Sequence, residues 1–393
     1  MFYQRKIYPE LKKHLEEKQI TVITGMRRTG KTTILKQILK EIPSKNKLYI
    51  DLERLDNREL FSQKNYDNIL KNLESKGLFL SQKIYLAIDE IQMLPPISSI
   101  LKYLYDTYDI KFLVTGSSSY YLKNLFSESL AGRKKIFELF SLDFGEYLDF
   151  HGVFNLKGAN WIEFAFNPVE YERIRYHYEQ YIEFGGFPEV ALAENEKQKK
   201  DLLSDIASSY INIDIKSLID FRNEKNIYAL MKMLASRVGS KLDYSKIARL
   251  TGISRPTVTS YVDFFEKTYL IRRVPVFSKS ADREIVKAQK IYFCDNGLLD
   301  ILSDVSGGVK FENSIFNQLR HHGKIQYYSL KSGREIDFIL DGNVAFEIKE
   351  SPISSDERKL NDLSVKAKVK NSRLIGRFDV PNFSNYIWGG EIR

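Results

Sequence analysis

A nine-residue segment near the amino terminus, GMRRTGKTT at Gly25–Thr33, constrains the fold of this chain more than any other feature. It matches the phosphate-binding pattern G-x-x-x-x-G-K-[ST]. The apolar run 20–23 before it predicts a strand, and residues 34–39 after it predict a helix. In that order, a strand, a glycine-rich loop and a helix form a cradle whose backbone N–H groups and helix terminus bind phosphate. The segment therefore predicts that the chain binds a nucleoside triphosphate, ATP.

Individual residues of the loop have separate roles in such a site. Gly25 and Gly30 allow the backbone to curl toward the anion. Lys31 is expected to reach the β- and γ-phosphates, and the Thr32 hydroxyl is expected to hold Mg²⁺. The loop residues that we predict to bind the nucleotide are Gly25, Arg28, Thr29, Gly30, Lys31, Thr32 and Thr33.

An acidic pair follows the next strongly apolar segment. Residues 83–88 predict a buried strand, which ends in Asp89 and Glu90. Because the carboxyl ends of parallel strands meet at one edge of a sheet, this pair should lie beside the phosphate loop. Asp89 would hold the magnesium ion through water, and Glu90 would orient and polarise the attacking water. The alternative is an ordinary charged strand end.

A third apolar segment, residues 110–114, ends in the polar stretch Thr115-Gly116-Ser117-Ser118. Polar residues at this place lie beside the γ-phosphate in AAA+ ATPases, where they are called sensor 1. By this resemblance Ser117 is a candidate nucleotide-binding residue, although these residues could equally form a turn. With further strands predicted at 48–50 and 134–140, the pattern indicates a parallel sheet covered by helices on both faces.

The composition indicates a protein of the cytoplasm with a polyanionic partner. The chain has 393 residues, a net charge of +9 and one cysteine, Cys294, which we expect to be a buried small hydrophobic residue. A single cysteine excludes an internal disulfide, and no segment has the length and apolarity of a signal peptide or a membrane span. The positive charge favours nucleic acid, with DNA the first candidate, and no membrane.

Residues 226–292 have the pattern of a winged helix-turn-helix. Two amphipathic helices precede the turn 251–253, and Ser254 then caps a third helix that has a proline in its first turn. Residues 241–290 contain 11 Lys and Arg against 5 Asp and Glu, which favours DNA binding. The side chains expected at the DNA are Arg255, Thr257, Thr259 and Ser260 on the third helix and Arg272 and Arg273 on the wing. Such a module can also dock proteins or act as a lid.

The last hundred residues contain a second set of chemical groups. Two predicted strands joined by a turn carry Asp337 on the first and Glu347 and Lys349 on the second. On neighbouring strands the two carboxylates can share one or two Mg²⁺ or Mn²⁺ ions, and Lys349 can orient or deprotonate a water molecule. Glu312, on the preceding helix, is a further candidate metal ligand. This arrangement resembles the PD-(D/E)XK pattern of restriction-endonuclease-like nucleases, a fold that is also used without catalysis.

The whole chain resembles the prokaryotic AAA+ ATPases of archaea and bacteria that carry a winged helix and a C-terminal nuclease-like domain. The segments that carry this resemblance are GMRRTGKTT, IYLAIDEIQ, VTGSSS, LAGRKKIFELFSLDFGEY, FGGFPEV, FENSIFNQL, KSGREIDFIL and AFEIK. It implies an α/β fold in which a P-loop AAA+ parallel sheet precedes a winged helix-turn-helix and a restriction-endonuclease-like α/β domain. It also implies that Arg133 is an arginine finger or sensor, which contacts the γ-phosphate in cis or from a neighbouring subunit of a homo-oligomer with ATP at its interfaces.

The predicted domains are an AAA+ ATPase domain at 1–150, a helical lid or connector at 151–225, the winged helix-turn-helix at 226–292 and the nuclease-like domain at 293–393. Two functions remain open for this organisation. In the first, an ATP-hydrolysing protein acts on nucleic acid, and its C-terminal site cleaves or binds DNA under the control of ATP. In the second, a signalling or scaffold ATPase uses the winged helix and a non-catalytic nuclease fold to bind protein partners. Tyr327 and Tyr328 are candidates for stacking on bases in the first case.

Overall fold

The computed structural model describes residues 2–63, 65–117, 130–153, 160–215, 224–278, 284 and 287–393. The chain divides into two units. The first comprises Met1–Phe140, Asn212–Ile219 and Lys267–Tyr269, and the second comprises Ser141–Ile211, Asp220–Glu266 and Leu270–Arg393. Within the described ranges, no helix combines the length and the apolar character that crossing a lipid bilayer requires.

A five-stranded parallel sheet forms the centre of the first unit. Its strands are β1 (Ile20–Thr24), β2 (Lys47–Asp51), β3 (Ile84–Asp89), β4 (Ile110–Gly116) and β5 (Lys134–Glu138). They lie in the order β2-β3-β4-β1-β5, and every neighbouring pair is parallel. Because β4 lies between β1 and β3, the loops that follow these three strands meet at one edge of the sheet.

Helices cover both faces of this sheet. They are α1 (Tyr8–Lys13), α2 (Lys31–Glu41), α3 (Leu55–Glu59), α4 (Tyr66–Ser75) and α5 (Ile97–Thr107). Leu86 and Ile88 of β3 belong to the core with α4 and α5, whereas Ala87 between them belongs to the core with α1 and α2. Burial on both faces explains why the strands read as continuous apolar runs rather than as alternating patterns. The predicted α/β fold with a parallel sheet is confirmed.

The second unit begins with helices packed around a buried turn. These helices are α6 (Phe144–Phe150), α7 (Pro168–Phe184), α8 (Pro188–Ala191) and α9 (Glu196–Ser209). The turn after α7 requires glycine because a Cβ on Gly186 would lie 2.2 Å from the carbonyl oxygen of Leu142. The buried carboxylate of Asp295 accepts hydrogen bonds from the backbone N–H groups of Gly186 at 2.9 Å and Gly297 at 2.8 Å. A Cβ on Gly185 would lie 2.1 Å from Asp295 Oδ1, so both glycines of the FGGFPEV segment have a structural reason.

In residues 224–278 and 287–293, the structure contains three helices and a two-stranded antiparallel sheet. The elements are α10 (Glu224–Ala235), α11 (Tyr244–Thr251), α12 (Arg255–Lys267), β6 (Ile271–Val274) and β7 (Lys290–Phe293). Gly252 follows α11 with a φ of 68°, a left-handed conformation that suits glycine. The Ser254 hydroxyl accepts a hydrogen bond from the backbone N–H of Thr257 at 3.3 Å, as expected of a helix cap. The three described helices and β6 occur where the sequence predicts them, and the winged helix stays a prediction.

A mixed five-stranded sheet forms the carboxyl-terminal part of the second unit. Its strands are β8 (Ile325–Ser329), β9 (Glu335–Leu340), β10 (Val344–Lys349), β11 (Asn371–Gly376) and β12 (Ile387–Trp388), in the order β12-β11-β10-β9-β8. β9 is antiparallel to both of its neighbours, and the other pairs are parallel. The accompanying helices are α13 (Asn296–Leu302), α14 (Gly307–Leu319) and α15 (Ser354–Ala367). α15 supplies the crossover that the parallel pair β10–β11 requires.

Candidate functional site

The phosphate loop connects β1 to α2 at the carboxyl edge of the parallel sheet. Gly25 and Gly30 have φ angles of 156° and 99°, which residues with a side chain rarely adopt. A Cβ on Gly25 would also lie 2.0 Å from the carbonyl oxygen of Leu139, so this position admits only glycine. Lys31 is the first residue of α2 and Thr32 the second, and both therefore stand at the positive end of the helix dipole.

Two buried cationic side chains, Lys31 and Arg5, donate hydrogen bonds to carbonyl oxygens of the phosphate loop. Lys31 is 4% exposed, and its ammonium donates hydrogen bonds to two loop carbonyl oxygens, both at 3.0 Å. Arg5 donates to the carbonyl oxygens of Thr29 at 2.9 Å and Phe140 at 2.8 Å. No sequence motif predicts Arg5, because its contacts depend on residues 24 and 135 positions away.

The acidic pair follows β3 at the same edge of the sheet. Asp89 is 2% exposed, and its carboxylate accepts hydrogen bonds from the hydroxyl groups of Tyr49, at 2.8 Å, and Thr115. Glu90 has a φ of 53°, and its backbone N–H donates to the Thr115 hydroxyl at 3.1 Å. Uncommon backbone conformations of this kind cluster at functional sites. Thr115 therefore fixes both acidic residues relative to the end of β4.

Ser117, the candidate sensor residue, lies just beyond β4. Its hydroxyl accepts a hydrogen bond from the Gln92 side-chain amide at 2.9 Å, and the same amide nitrogen donates to the Glu90 carboxylate. Gln92 thus joins two groups that the sequence predicted separately. Gln92 lies in the segment IYLAIDEIQ, but the sequence does not predict its role, because this role depends on the short 3-10 turn Ile91–Met93. Ser118, the other serine of this stretch, lies outside the described residues.

Arg133 lies at the opposite edge of the parallel sheet. Its carbonyl oxygen accepts a hydrogen bond from the backbone N–H of Ile20, which begins β1, whereas the phosphate loop follows Thr24 at the end of this strand. A strand of five residues separates the two edges by about 17 Å. The guanidinium forms a two-point ion pair with Asp106, at 2.8 and 3.0 Å. This geometry does not support the predicted contact in cis and leaves contact from a neighbouring subunit as the mode to test.

The predicted nuclease residues lie on the strand pair β9–β10 of the second unit. Asp337 accepts a hydrogen bond from the backbone N–H of Ile348 at 2.9 Å, so its carboxylate reaches the stretch of β10 between Glu347 and Lys349. Lys349 Nζ donates to Glu347 Oε1 at 2.8 Å. The structure therefore brings Asp337, Glu347 and Lys349 together, although they come from different strands.

Glu312 approaches this place from α14, and we refer to Glu312, Asp337 and Glu347 as the carboxylate cluster. Glu312 accepts a hydrogen bond from the Tyr292 hydroxyl at 2.7 Å. Burial, followed by the negative charge of Asp337, raises the pKa of Glu312 to about 7. The same two causes raise the pKa of Glu347 to about 7, and burial raises the pKa of Asp337 as well. The three carboxyl groups thus share one buried electrostatic environment.

A buried lysine faces the carboxylate cluster. Lys290, on β7, is 2% exposed, and its ammonium lies 3.0 Å from Glu335 and 3.9 Å from Asp337. Lys241 pairs with Glu335 at 3.1 Å from the other side. Burial lowers the pKa of Lys290, but the nearby carboxylates outweigh this effect and raise it above its ordinary value. Sequence reasoning missed this lysine, although a lysine that opens the apolar run Ile291–Cys294 was an available signal.

The carboxylate cluster has the chemical groups that bind a hard divalent cation, but in the described residues these groups are not arranged around one point. Carboxylate oxygens are the ligands that Mg²⁺ and Mn²⁺ prefer, and a cation would relieve the repulsion that raises the pKa values of these groups. Across the described ranges, however, no group of three or more His, Cys, Asp or Glu side chains is arranged to hold a metal ion. Glu312 is instead held by Tyr292, and Glu347 by Lys349.

Part of the positive charge in residues 241–290 is neutralised within the protein. Arg273 forms ion pairs with Asp263, at 2.7 Å, and with Glu266. Lys241 and Lys290 are paired with Glu335, as described above. The number of lysines and arginines in this segment therefore overstates the charge that it presents to a partner.

The first turn of α12 presents fewer polar groups than the sequence predicts. Arg255 and Ser260 are exposed. The Thr257 hydroxyl is 2.7 Å from that of Ser254, and the Thr259 hydroxyl donates to the Arg255 carbonyl oxygen at 3.0 Å. These two hydroxyl groups form hydrogen bonds within their own helix end, so Arg255 and Ser260 are the predicted α12 side chains that face solvent.

The parallel sheet, the phosphate loop after β1 and the acidic pair after β3 have the arrangement of a P-loop nucleotide-binding fold. Residues 17–148 match the family model of the AAA domain. Residues 175–308 match a second family model, which is described only as a domain of unknown function.

Similar proteins extend over most of the chain. An uncharacterized protein of Methanocaldococcus jannaschii is 29% identical over 369 residues, which cover 88% of this chain and 80% of the relative. An uncharacterized protein of Haemophilus influenzae is 26% identical over 379 residues, which cover 91% of this chain and 89% of the relative. Among solved structures, the Aeropyrum pernix Orc1 protein in complex with DNA gives a TM-score of 0.35 at 11% identity, over 76% of this chain and 92% of that one.

Proposed function

We propose that this protein hydrolyses ATP and acts on nucleic acid, with a metal-dependent nuclease-like site in its second unit whose action on DNA is controlled by the ATP state. The observation that supports the proposal most is the meeting of Asp337 with the stretch of β10 that carries Glu347 and Lys349. Two acidic groups and a lysine on an antiparallel strand pair supply the ligands and the positive charge that phosphodiester cleavage needs.

In the proposed ATPase reaction, the phosphate loop and Lys31 bind the β- and γ-phosphates. Thr32 and Asp89 would hold a magnesium ion, which neutralises charge on the phosphates when it is bound. Glu90 orients the attacking water, and Gln92 keeps the Glu90 carboxylate at the end of β4. In a homo-oligomer, Arg133 would reach the γ-phosphate of a neighbouring subunit.

In the proposed nuclease reaction, Asp337 and Glu347 would hold a divalent ion, with Glu312 as the third carboxylate. When bound, this ion polarises the phosphodiester and lowers the pKa of a water molecule. Lys349 would stabilise the negative charge that develops on the non-bridging oxygens. The Lys290 ammonium, 3.9 Å from Asp337, would orient its carboxylate through its charge.

Residues 224–293 are the proposed duplex-binding segment, because their helices and strands follow the order of a winged helix. Arg255 is the residue that we place nearest the DNA. Arg273 is better regarded as a structural residue, since α12 holds it through Asp263 and Glu266. Reversing the charge of Arg273 would therefore damage the fold and would not test DNA binding.

The test is a cleavage assay with the full chain. Supercoiled plasmid and circular single-stranded DNA are incubated with Mg²⁺ or Mn²⁺, with and without ATP. We expect cleavage by the wild type and a loss of roughly 10²-fold or more in Asp337→Asn and Lys349→Ala. ATP hydrolysis should stay within about twofold of the wild type, because the ATP site is built from other residues. Lys200→Ala, which removes an exposed lysine of α9, is the matched control. The absence of wild-type cleavage with both metals, or full cleavage by both variants, contradicts the nuclease role.

A second function has one observation in its favour. The carboxylate cluster is not arranged around a metal in the described part of the chain, and Lys290 already compensates Asp337. A signalling or scaffold ATPase, which binds protein partners through its second unit, needs no metal there. Thermal denaturation at increasing Mn²⁺ concentration separates the two functions. A rise in Tm for the wild type but not for Asp337→Asn supports the nuclease site, whereas equal curves support the scaffold.

A further inference from the structure

An open groove of about 360 Å³ lies beside β8 in the second unit. We call it the lysine groove and define it by the six residues of its lining that carry charge or an aromatic ring, Phe277, Lys287, Tyr328, Lys331, Lys366 and Lys368. All four lysines are exposed, and the described lining contains no acidic residue. The groove therefore combines a wall of positive charge with two aromatic rings.

In the part of the chain that the structure describes, the charges of the lysine groove lack protein partners. Other lysines of the same unit are paired, Lys241 and Lys290 with Glu335 and Lys324 with Glu284. No ion pair joins any of the four groove lysines to a carboxylate within the described residues. Four like charges around one concave surface repel one another and attract a polyanion.

The aromatic rings indicate which polyanion the groove accepts. Phe277 and Tyr328 are half-buried, and both line the groove. A ring in this position can stack on a base, but only when the base is not enclosed in a duplex. Phosphate contacts from lysines together with base stacking are the usual means of binding a single strand without sequence preference.

The position of the lysine groove connects it to the carboxylate cluster. Ser329, which also lines the groove, pairs with Glu335 across the β8–β9 ladder. Glu335 precedes Asp337 by two residues on β9, a distance of about 7 Å along the strand. The Ser329 hydroxyl also accepts a hydrogen bond from Lys241 at 2.8 Å, and Lys241 contacts Glu335. The groove thus adjoins the end of β9 that carries Glu335, two residues from Asp337.

We propose that the lysine groove binds single-stranded nucleic acid, with its phosphates on the four lysines and its bases on Phe277 and Tyr328, and directs the strand to Asp337. This inference rests on the proposed function, since it names the form of nucleic acid that reaches the nuclease-like site. It also assigns Arg255 on α12 and the lysine groove to different substrates, duplex and single strand.

The first test removes charge. Binding of a fluorescein-labelled dT12 oligonucleotide to the full chain is measured by anisotropy in EDTA without nucleotide. Lys331→Gln combined with Lys366→Gln should weaken binding by about tenfold at low salt and reduce the slope of log affinity against log salt by about 1.4, or 0.7 for each lysine. Lys197→Gln combined with Lys200→Gln, two exposed lysines of α9, is the matched control and should leave both quantities unchanged.

The second test removes stacking. Tyr328→Leu should weaken dT12 binding about tenfold, whereas Tyr328→Phe, which keeps the ring, should bind as the wild type does. Tm measurements verify that each variant is folded. If both groove variants bind dT12 with wild-type affinity while Arg255→Glu reduces duplex binding, the lysine groove is not a single-strand site. The proposed function is then unaffected. A wild type that binds neither single strand nor duplex refutes both. Weakening by the lysine variants alone, with Tyr328→Leu unchanged, refutes the stacking that defines the single-strand site.

Discussion

The raised pKa of Glu347 makes the stability of the second unit depend on pH in a direction that can be measured. With an ordinary pKa of 4.5 and a folded-state pKa of about 7, Glu347 keeps its proton in the folded state when the unfolded chain has already lost it. The folded state thus binds more protons between these two values, and stability must fall as pH rises through this window. Burial and the charge of Asp337 are the causes, so the effect belongs to the metal-free cluster.

The magnitude follows from the linkage relation. Between pH 6 and pH 8, one carboxyl group with this shift reduces the free energy of unfolding by about 1.4 kcal/mol. Glu312, whose pKa is also about 7, adds a similar loss, so the wild type should lose roughly 3 kcal/mol from the two groups. Glu347→Gln keeps the shape of the protonated side chain and removes its titration. The variant should therefore lose about 1.4 kcal/mol less than the wild type over the same range.

The assay is thermal denaturation of the full chain in EDTA at pH 6 and pH 8. For a domain of this size, the difference between variant and wild type corresponds to roughly 3–6 °C in the change of Tm. Glu194→Gln, at an exposed position of the same unit, is the control and should follow the wild type. If Glu347→Gln shows the same fall in Tm from pH 6 to pH 8 as the wild type, then Glu347 does not hold its proton in the folded state, and the account of the carboxylate cluster is wrong.

Four further predictions concern the ATP site and the fold. Lys31→Ala should abolish ATP binding in a fluorescent-nucleotide titration, because it removes the ammonium inside the phosphate loop, and undiminished affinity would exclude this lysine as a ligand. Glu90→Gln should bind ATP normally but release no phosphate, and turnover at the wild-type rate would mean that another group activates the water. Arg133→Ala should slow hydrolysis by about 10³-fold. If Arg133 acts in trans, the wild-type rate per molecule should rise with protein concentration. A wild-type rate that does not depend on concentration would argue against an arginine finger in trans. Gly186→Ala should destabilise the second unit by about 1–3 kcal/mol in urea denaturation, because its Cβ meets the Leu142 carbonyl oxygen, and a neutral effect would show that the turn can relax.

The sequence predicts the parallel sheet and its phosphate loop well, because both depend on local patterns. Strands buried on two faces are short apolar runs, and a glycine-rich turn between such a run and a helix has few other uses. The helix with Glu312 and the strand pair with Asp337 and Glu347 were predictable for the same reason, since each lies in one continuous segment. Their grouping at one place agrees with the structure, and their role as a metal site stays a prediction.

What the sequence does not predict are contacts between distant segments. Lys290 precedes Asp337 by 47 residues, and the Arg133–Asp106 ion pair spans 27 residues. Nothing local in either segment specifies such a partner. The same limitation explains why charge counting overestimated the basic surface around Arg273: a count cannot distinguish a solvated arginine from one that is paired inside the fold.

The position of Lys290 on β7 determines where this chain can be divided into fragments. The predicted boundary between residues 292 and 293 falls inside β7 (Lys290–Phe293). A fragment that starts there would retain the carboxylate cluster but lose the ammonium that compensates Asp337. It would also lose Pro275, whose carbonyl oxygen accepts a hydrogen bond from the Tyr327 backbone N–H at 3.0 Å, so that the edge of β8 would be left open to other chains. An isolated C-terminal fragment should therefore aggregate, and an exchange of this region between relatives should succeed only if Pro275 and β7 are inherited with it.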